Sequence, residues 1–490
     1  MLPTRLYRAA QVRELDRRTI EDHGIPGYQL MTRAGRFSCQ AISTRWPDAP
    51  LLVVCGAGNN AGDGYVVARE SLLAGRPTRL IAVIDPARLS GDAATAVADF
   101  LAAGGEVTRF DGTLDAPRGG VIVDGLLGTG LDRAVEGEFA RAVNAINDSG
   151  CGVAALDLPS GLHADTGRVM GVAVRAQMTA TFVGMKTGLL MGHGPEHAGE
   201  VLYDDLGAPP GAFEGLVPAA SRLTGDLLGR GLLPRPRESH KGLFGHVLII
   251  GGGPGMPGAA RLAGQAALRA GAGLVTVATI DEHVTAIAGS CPELMCRGVE
   301  RPRELEALIE RSTVVAIGPG LGQEGWSRTV FDVAMDCDRP LIVDADGLNL
   351  LAQSPRVRED WLLTPHPGEA ARLLASDTAA VQADRLAAFS ELGERYGAVV
   401  VLKGAGSLVG EPDRPPGLCS FGNPGMAVAG MGDVLTGVVA GLAAQLNNLP
   451  LAARLGVLVH ALAGDDAARE GQRGMTATDL LAPLRRLVNP

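Results

Sequence analysis

The sequence predicts an α/β protein built from two parallel-sheet domains, and three observations carry that expectation. At 490 residues the chain is longer than one ordinary core accommodates, so two or three domains are expected. Short β-branched runs alternate with helix-like stretches on both sides of a Pro-, Gly- and Ala-rich segment, DDLGAPPGAFEGLVPAASRL (204–223), where the boundary is placed. The runs end in glycine or aspartate, as buried parallel strands do when they feed ligand-binding turns.

Two helices, roughly 8–22 and 28–45, precede the first strand. LLVVC (51–55), TRLIAVI (78–84), VIVDG (121–125), VAALDL (153–158) and TATFVG (179–184) then read as the strands of a doubly wound sheet. The second half offers HVLIIGG (246–252), GLVTVAT (273–279), TVVAIG (313–318), PLIVDAD (340–346), WLLTPH (361–366) and AVVVLKG (398–404). These form a second α/β sandwich, followed by helices at 426–446, 450–470 and 476–488. The expected domains are 1–216 and 222–490.

Hydrophobic residues make up 46% of the chain and aromatic ones 4%, so the cores are packed with small aliphatics and stacking platforms for bases are scarce. The net charge is −10 and neither half is basic, which argues against nucleic acid as a partner. Seven cysteines are scattered without a C-x-x-C pair, so zinc and a disulfide framework are not expected and a reducing cytoplasm is. No apolar run approaches the length of a membrane span, and no membrane partner is expected. Only three of the 44 cationic residues are lysine: Lys186, Lys241 and Lys403, each with a glycine within two residues downstream. A compact ammonium is not interchangeable with a planar guanidinium beside a phosphate, so a ligand role is expected first for Lys403, then Lys241, and least for Lys186.

The most informative stretch is AVAGMGDVLTGVVAGLAAQL (427–446), where Gly430, Gly432 and Asp433 join a glycine turn to a long apolar helix. Unpaired amides and the dipole at a helix N-terminus favour an anion, and glycines admit a phosphate close to the backbone. Asp433 is then either a helix cap or a carboxylate able to take a proton from a hydroxyl beside that phosphate. VVVLKGAGSLV (399–409) places Lys403 and two glycines where an α/β sheet holds a nucleotide, without a Walker loop.

In the first half, CGAGNNAGDGYVVARE (55–70) interleaves glycines with Asn59, Asn60 and Asp63 in an expected turn before a helix. Such a turn supplies side-chain carbonyls for a cation and free amides for a phosphate. Later strands deliver Asp124 in VDGLLGTGLDR, and Asp157 and Ser160 in LDLPSGLHADTG. Oxygen ligands with few charges suit a hard monovalent cation, although Asp124 and Asp157 also fit buried turn acids. The second half adds LIIGGGPGMPGAARLAG (248–264), AIGPGLG (316–322), DADGLN (344–349) and TPHPGE (364–369). His366 stands between two prolines that are expected to exclude helix until Gly368.

GNNAGDG, DGLLGTG and DLPSG, with HKGLFGHVLIIGG, GPGLG, LTPHPGE, LKGAGS and GMGDVLTG, together resemble the bifunctional NAD(P)H-hydrate repair enzymes over about residues 9–488. The resemblance implies a Rossmann-like domain that interconverts the R and S forms of hydrated NADH and NADPH (NADHX and NADPHX). It also implies a ribokinase-like domain that dehydrates the S form with ADP, releasing AMP and phosphate. By motif, Asn59, Asn60, Ala61, Gly62 and Asp63, then Gly128, Thr129, Gly130, Leu131, Asp132 and Arg133, and Asp157, would hold the hydrate in the first domain. Asn60, Asp124 and Ser160 would bind K⁺. In the second domain Ala259, Gly320, His366 and Asp433 would contact the hydrate, while Lys403, Gly404, Ala405, Gly406, Ser407 and Gly432 would bind ADP with Mg²⁺. Asp433 and, in the first domain, Asp157 are the implied catalytic residues. A cytoplasmic homo-oligomer acting on small molecules is expected. One departure from the family's pattern is Ala61, which stands where these proteins usually carry glycine and would be strained at positive φ.

The implied chemistry is consistent with these residue types. Hydroxide leaves poorly, so phosphorylating the hydrate's hydroxyl and eliminating phosphate restores the nicotinamide double bond, with Asp433 taking the hydroxyl proton. The same glycine–aspartate turn serves a small-molecule kinase of this fold, and the first domain read alone also fits a nucleotide-binding module.

Overall fold

The computed structural model describes residues 2–490. The chain forms two compact units, the first ending at Ser221 and the second beginning at Arg222.

In the first unit seven parallel strands lie in the order Val107–Arg109, Thr78–Ala82, Leu51–Cys55, Val121–Gly125, Gly152–Leu156, Met178–Phe182, Glu200–Asp204. Strand order reverses between Leu51–Cys55 and Val121–Gly125, so a crevice opens beyond their carboxyl ends. Every residue of these two strands is buried, because helices cover both faces: Met31, Val66 and Val97 pack on one side, Val143 and Ile146 on the other. The sequence does not mark the edge strands Val107–Arg109 and Glu200–Asp204, since each lacks an uninterrupted buried run. Asp204, read as the first residue of the linker, closes the second of them.

Two local expectations in this unit are corrected. The first helix is not continuous over 8–22: an α-helix, Ala9–Arg17, passes into a five-residue π-helical segment, Arg18–Asp22. GNNAGDG is not a turn ahead of a helix but the start of one, Gly58–Leu73, with Gly58 alone at φ +73° to make the corner. Ala61 therefore lies inside a helix, is not among the positive-φ residues, and buries its methyl completely in the core. Its side chain costs no backbone strain.

In the second unit the parallel strands run in the order Met295–Gly298, Leu274–Thr279, His246–Ile250, Val314–Ile317, Leu341–Val343, Trp361–Leu363, Val399–Leu402. Two antiparallel strands, Ser407–Gly410 and Gly417–Cys419, extend the sheet. These two and the edge strand Met295–Gly298 go beyond the sequence reading, because glycines interrupt their apolar pattern. Order again reverses, here between His246–Ile250 and Val314–Ile317. The helix Met431–Leu446 packs directly on Pro257–Arg269: a Cβ on Gly437 would fall 2.0 Å from the Ala263 carbonyl oxygen, so only glycine permits the approach. That helix begins at Met431 and not at 426, since Pro424–Met426 forms its own 3₁₀ turn and Gly430 breaks the path at φ +88°. Among the described residues no helix is long and apolar enough to cross a membrane.

Replacing Ala61 by glycine is expected to lower the stability of the first unit by roughly 1 kcal/mol, through backbone entropy in a helix. Urea denaturation measures this; a gain in stability would show that the backbone at 61 is strained after all.

Candidate functional site

The carboxyl ends of the second unit's strands gather a buried charge cluster. Asp344, which follows Leu341–Val343, is 1% exposed. Its Oδ1 accepts from Lys403 Nζ at 2.7 Å and Thr364 Oγ1 at 2.8 Å, and its Oδ2 from Thr436 Oγ1 at 2.7 Å. Lys403 and Asp344 end strands two places apart, with Thr364 on the strand between them. Desolvation opposes ionisation of Asp344, but the Lys403 charge and these hydrogen bonds outweigh it and hold the carboxyl below its ordinary range. Lys403 Nζ also lies 3.6 Å from Glu369, whose pKa burial pushes up.

Asp433 faces the same cavity, which has a volume of about 420 Å³ and is also lined by His366, Glu369, Lys403 and Gly432. It is the third residue of its helix; Gly430 occupies the cap position and no side chain caps the turn, so the capping role is not what Asp433 does. Burial first, then the neighbouring Asp344, pushes its pKa up to about 7, where a carboxyl exchanges protons most effectively at neutral pH.

His366 is itself the cap of a helix, Pro367–Leu373, which starts one residue earlier than the prolines suggested because proline fits the first helical position. Its Nδ1 accepts from the Gly368 and Glu369 amides at 3.0 and 3.4 Å, and burial lowers its pKa, so the ring is neutral with Nε2–H facing Glu369 Oε1 at 3.4 Å.

Lys403–Gly406 form the turn of a hairpin, with Gly404 at φ +136° and Gly406 at φ +72°. Ser407 Oγ donates to the Gly404 carbonyl at 3.0 Å, and Ala405 is exposed at the tip. Behind the turn lies Arg385, which the sequence reading did not single out. It is 1% exposed and donates to the carbonyls of Leu402, Lys403 and Gly406 at 3.2, 3.2 and 3.4 Å. Ala259 and Gly320 stand apart from the Asp433 cavity, against each other at the strand ends flanking the reversal: a Cβ on Gly320 would fall 2.8 Å from that of Ala259.

The first unit has a larger cavity, about 520 Å³, beyond its own strand reversal. Asn59, Asn60, Asp63, Gly128, Thr129, Gly130, Leu131, Asp132, Arg133 and Asp157 all line it. Ala61 and Gly62 do not; they point into the core, where a Cβ on Gly62 would meet the Met31 sulfur at 2.6 Å. Asp124 and Ser160 sit beneath the cavity: Ser160 donates to Asp124 through Oγ at 2.6 Å and its amide at 2.8 Å, while the Leu127 amide donates to Ser160 Oγ at 2.8 Å. Burial raises the Asp124 pKa to about 6. Asn60 donates through Nδ2 to the Leu127 carbonyl at 3.0 Å, but its Oδ1 is buried with no hydrogen-bond donor. An orphaned carbonyl oxygen beside a buried carboxylate and a hydroxyl is the donor set a hard monovalent cation satisfies.

Asp157 adopts a left-handed φ of +63° and pairs with Lys186, which is 1% exposed and also donates to Thr181 Oγ1 and the Phe182 carbonyl at 3.1 and 3.0 Å. Lys186 was the lysine least expected at a site, yet it lines this cavity. Its glycine-flanked context was the one available signal.

Two parallel-sheet units, each with a cavity at the carboxyl ends of its strands and one with a glycine–aspartate helix start beside it, define a Rossmann-like unit joined to a ribokinase-like one. The family model described as NAD(P)H-hydrate dehydratase matches residues 247–486, and that described as YjeF-related protein N-terminus matches 27–188. A bifunctional NAD(P)H-hydrate repair enzyme of Coxiella burnetii is 46% identical over 99% of this chain and 100% of its own length. The protein of that name in Escherichia coli is 41% identical over 100% of this chain and 95% of its own. A solved ribokinase-like superfamily protein of Enterococcus faecalis matches at 30% identity and a TM-score of 0.52, over 55% of this chain and 96% of its own. The ADP/ATP-dependent NAD(P)H-hydrate dehydratase of Bacillus subtilis, co-crystallized with ATP/Mg²⁺, matches at 29% and 0.50, over 54% and 96%. The chain belongs to the family of bifunctional NAD(P)H-hydrate repair enzymes.

Removing the lysine should expose what the buried cluster costs. Lys403→Met is expected to destabilise the second unit by about 3–5 kcal/mol, since it strips the cation from a buried carboxylate, and adding Asp344→Asn should recover most of that loss. Urea unfolding of the single and double variants measures it; a single variant as stable as the parent would contradict the charge balance described.

Proposed function

We propose that the second unit dehydrates the S form of hydrated NADH or NADPH at the expense of ADP, and that the first unit interconverts the R and S forms. The observation that carries the first assignment is Asp433: an uncapped carboxyl with a raised pKa at a glycine-rich helix start, next to the Lys403–Asp344 pair. The nucleotide's phosphates would meet Lys403, the turn Gly404–Ser407 held from behind by Arg385, and the amides around Gly432. Asp433 would take the proton of the hydrate's hydroxyl as that oxygen attacks the terminal phosphorus of ADP. AMP leaves, and elimination of phosphate together with a proton from the neighbouring ring carbon then restores the double bond. Asp344, Glu369 and Asp433 face the cavity with one lysine, so the donor chemistry suits the added positive charge of Mg²⁺, which when bound stabilises the phosphate oxygens.

In the first unit the cavity lined by Asn59, Asp63, Gly128–Arg133 and Asp157 would hold the hydrate, with Asp157 in contact with it. The orphaned Asn60 Oδ1, with Asp124 and Ser160, would hold K⁺ beneath. The ion's charge would favour the ionised form of Asp124, whose burial otherwise raises its pKa.

A base with a pKa near 7 is protonated, and inactive, below that value. Dehydration kcat/KM should therefore rise about tenfold per pH unit toward pH 7 and level off above it, and Asp433→Asn should remain about 10²–10⁴-fold lower at every pH. The variant's melting temperature should not fall, because burial disfavours the charge that is removed; low stability with retained activity would overturn the assignment. Replacing K⁺ by choline in the assay is expected to depress epimerisation at least tenfold and leave dehydration of pure S hydrate unchanged. Equal rates in both buffers would remove K⁺ from the first unit's site.

A further inference from the structure

The first unit's cavity is closed by a helix face to which no role has been given. Val12, Arg13, Asp16 and Ile20 line the cavity, and the helix turns from α to π geometry at Arg18, two residues after Asp16. A π-helical segment re-aims the side chains around it and recurs where helices carry functional groups. This helix is fixed independently of any ligand. The Ala9 amide donates to Asp165 Oδ1 at 2.6 Å, Leu15 is fully buried, and Arg18 NH1 donates to the Glu214 carbonyl at 2.8 Å. Asp16 is therefore held at the cavity by packed structure.

Its charge environment differs from that of Asp157. Arg17 and Arg18 are engaged by Glu14, and Arg17 also by Glu21 and Asp22. Lys186, the buried cation of the cavity wall, is bound to Asp157. Among the described residues Asp16 has no ion-pair partner of its own. Burial first, then the nearby Asp157 charge, acts to raise its pKa, with Lys186 partly opposing, and the result is about 6. Asp63, also on the cavity lining, is raised well above its ordinary value by burial and then by the Asp157 and Asp16 charges. Asp157 is thus held by Lys186, whereas Asp16, Asp63, Asp92 and Asp132, which also line the cavity, have no ion-pair partner among the described residues. Of the two that feel the Asp157 and Lys186 charges, Asp63 is buried and Asp16 is half-buried and open to the cavity, so Asp16 and Asp157 give the asymmetry an acid–base pair requires.

We propose that Asp16 is a catalytic acid–base residue of the epimerase, acting with Asp157 on opposite faces of the hydrated ring. The proposal rests on epimerisation being the first unit's reaction. Hydration of an enamine double bond leaves the hydroxyl on the carbon bonded to the ring nitrogen. Asp16 gives its proton to that hydroxyl, the C–O bond breaks, and water departs while the nitrogen lone pair forms the C=N bond of an iminium. A water on the other face adds to the same carbon and gives its proton to Asp157, which restores the hydroxyl with inverted configuration. One water leaves and one enters, and the proton lost by Asp16 equals the one gained by Asp157. The reverse reaction exchanges the two roles.

The test compares Asp16→Asn with the parent in the full-length protein, with K⁺ and without nucleotide, following R and S hydrates by chromatography. The expected result is a fall in epimerisation kcat of at least 10²-fold with KM for the hydrate changed less than threefold, and partial recovery in Asp16→Glu. Dehydration of pure S hydrate by the same preparation is the internal reference for folding. Epimerisation by Asp16→Asn within threefold of the parent, or a loss confined to KM, overturns the proposal. Should the variant fold poorly, the parent enzyme in ¹⁸O-water decides: one solvent oxygen is expected per inversion, and inversion without label overturns the mechanism. A parent enzyme that does not epimerise at all instead overturns the assignment of that reaction to the first unit.

Discussion

The second unit's site depends on one constraint: a carboxylate cannot be buried at the end of parallel strands unless a cation and hydrogen bonds replace the water it loses. Asp344 meets that condition through Lys403, Thr364 and Thr436, which reach it from two neighbouring strand ends and from the long helix. Because Lys403 is committed to Asp344, Asp433 shares the cavity without a cation of its own, and its pKa rises. Burial first, and then the structural pair beside it, thus set the proton affinity of Asp433. The close approach of Met431–Leu446 to Pro257–Arg269, possible only over glycine, places both Thr436 and Asp433 where this balance needs them.

The first unit solves the same problem differently. Asp157 is neutralised by a buried lysine, whereas Asp124 is held by a serine and backbone amides and retains a raised pKa. Beside it the unpaired Asn60 Oδ1 leaves an acceptor that protein groups do not satisfy. The two carboxylates therefore differ in what they can do: one is positioned against the cavity by an ion pair, the other suits a bound cation. Asp16 is a third type, half-buried at the cavity with no ion-pair partner among the described residues.

Much of this was legible in the sequence because parallel strands announce themselves. Their buried β-branched runs bounded the central strands to within a few residues, and polar groups at strand ends and helix starts stand out against them, which is how Asp124, Asp157, Lys403 and Asp433 were singled out. Edge strands such as Glu200–Asp204 were not legible, since half-exposed residues carry no continuous pattern. The glycines of GNNAGDG suggested a turn because composition does not reveal that only Gly58 needs a positive φ. Arg385 and Asp16 escaped, and Lys186 was ranked last of the three lysines, because each meets its neighbours across a large sequence separation: a lysine looks exposed until its buried partner is known, an arginine behind a hairpin leaves no motif, and an aspartate on an amphipathic helix reads as solvated.

The central claim is that one chain carries both repair activities, each in its own cavity. The most direct measurement is absorbance at 340 nm after the protein is added to a mixture of R and S hydrates of NADH with ADP, Mg²⁺ and K⁺. The account requires complete recovery of NADH, well past the S fraction and faster than the hydrates interconvert unaided. Recovery that stops at the S fraction would contradict the epimerase assignment, and no recovery with either ADP or ATP would contradict the account of Asp433 and its site.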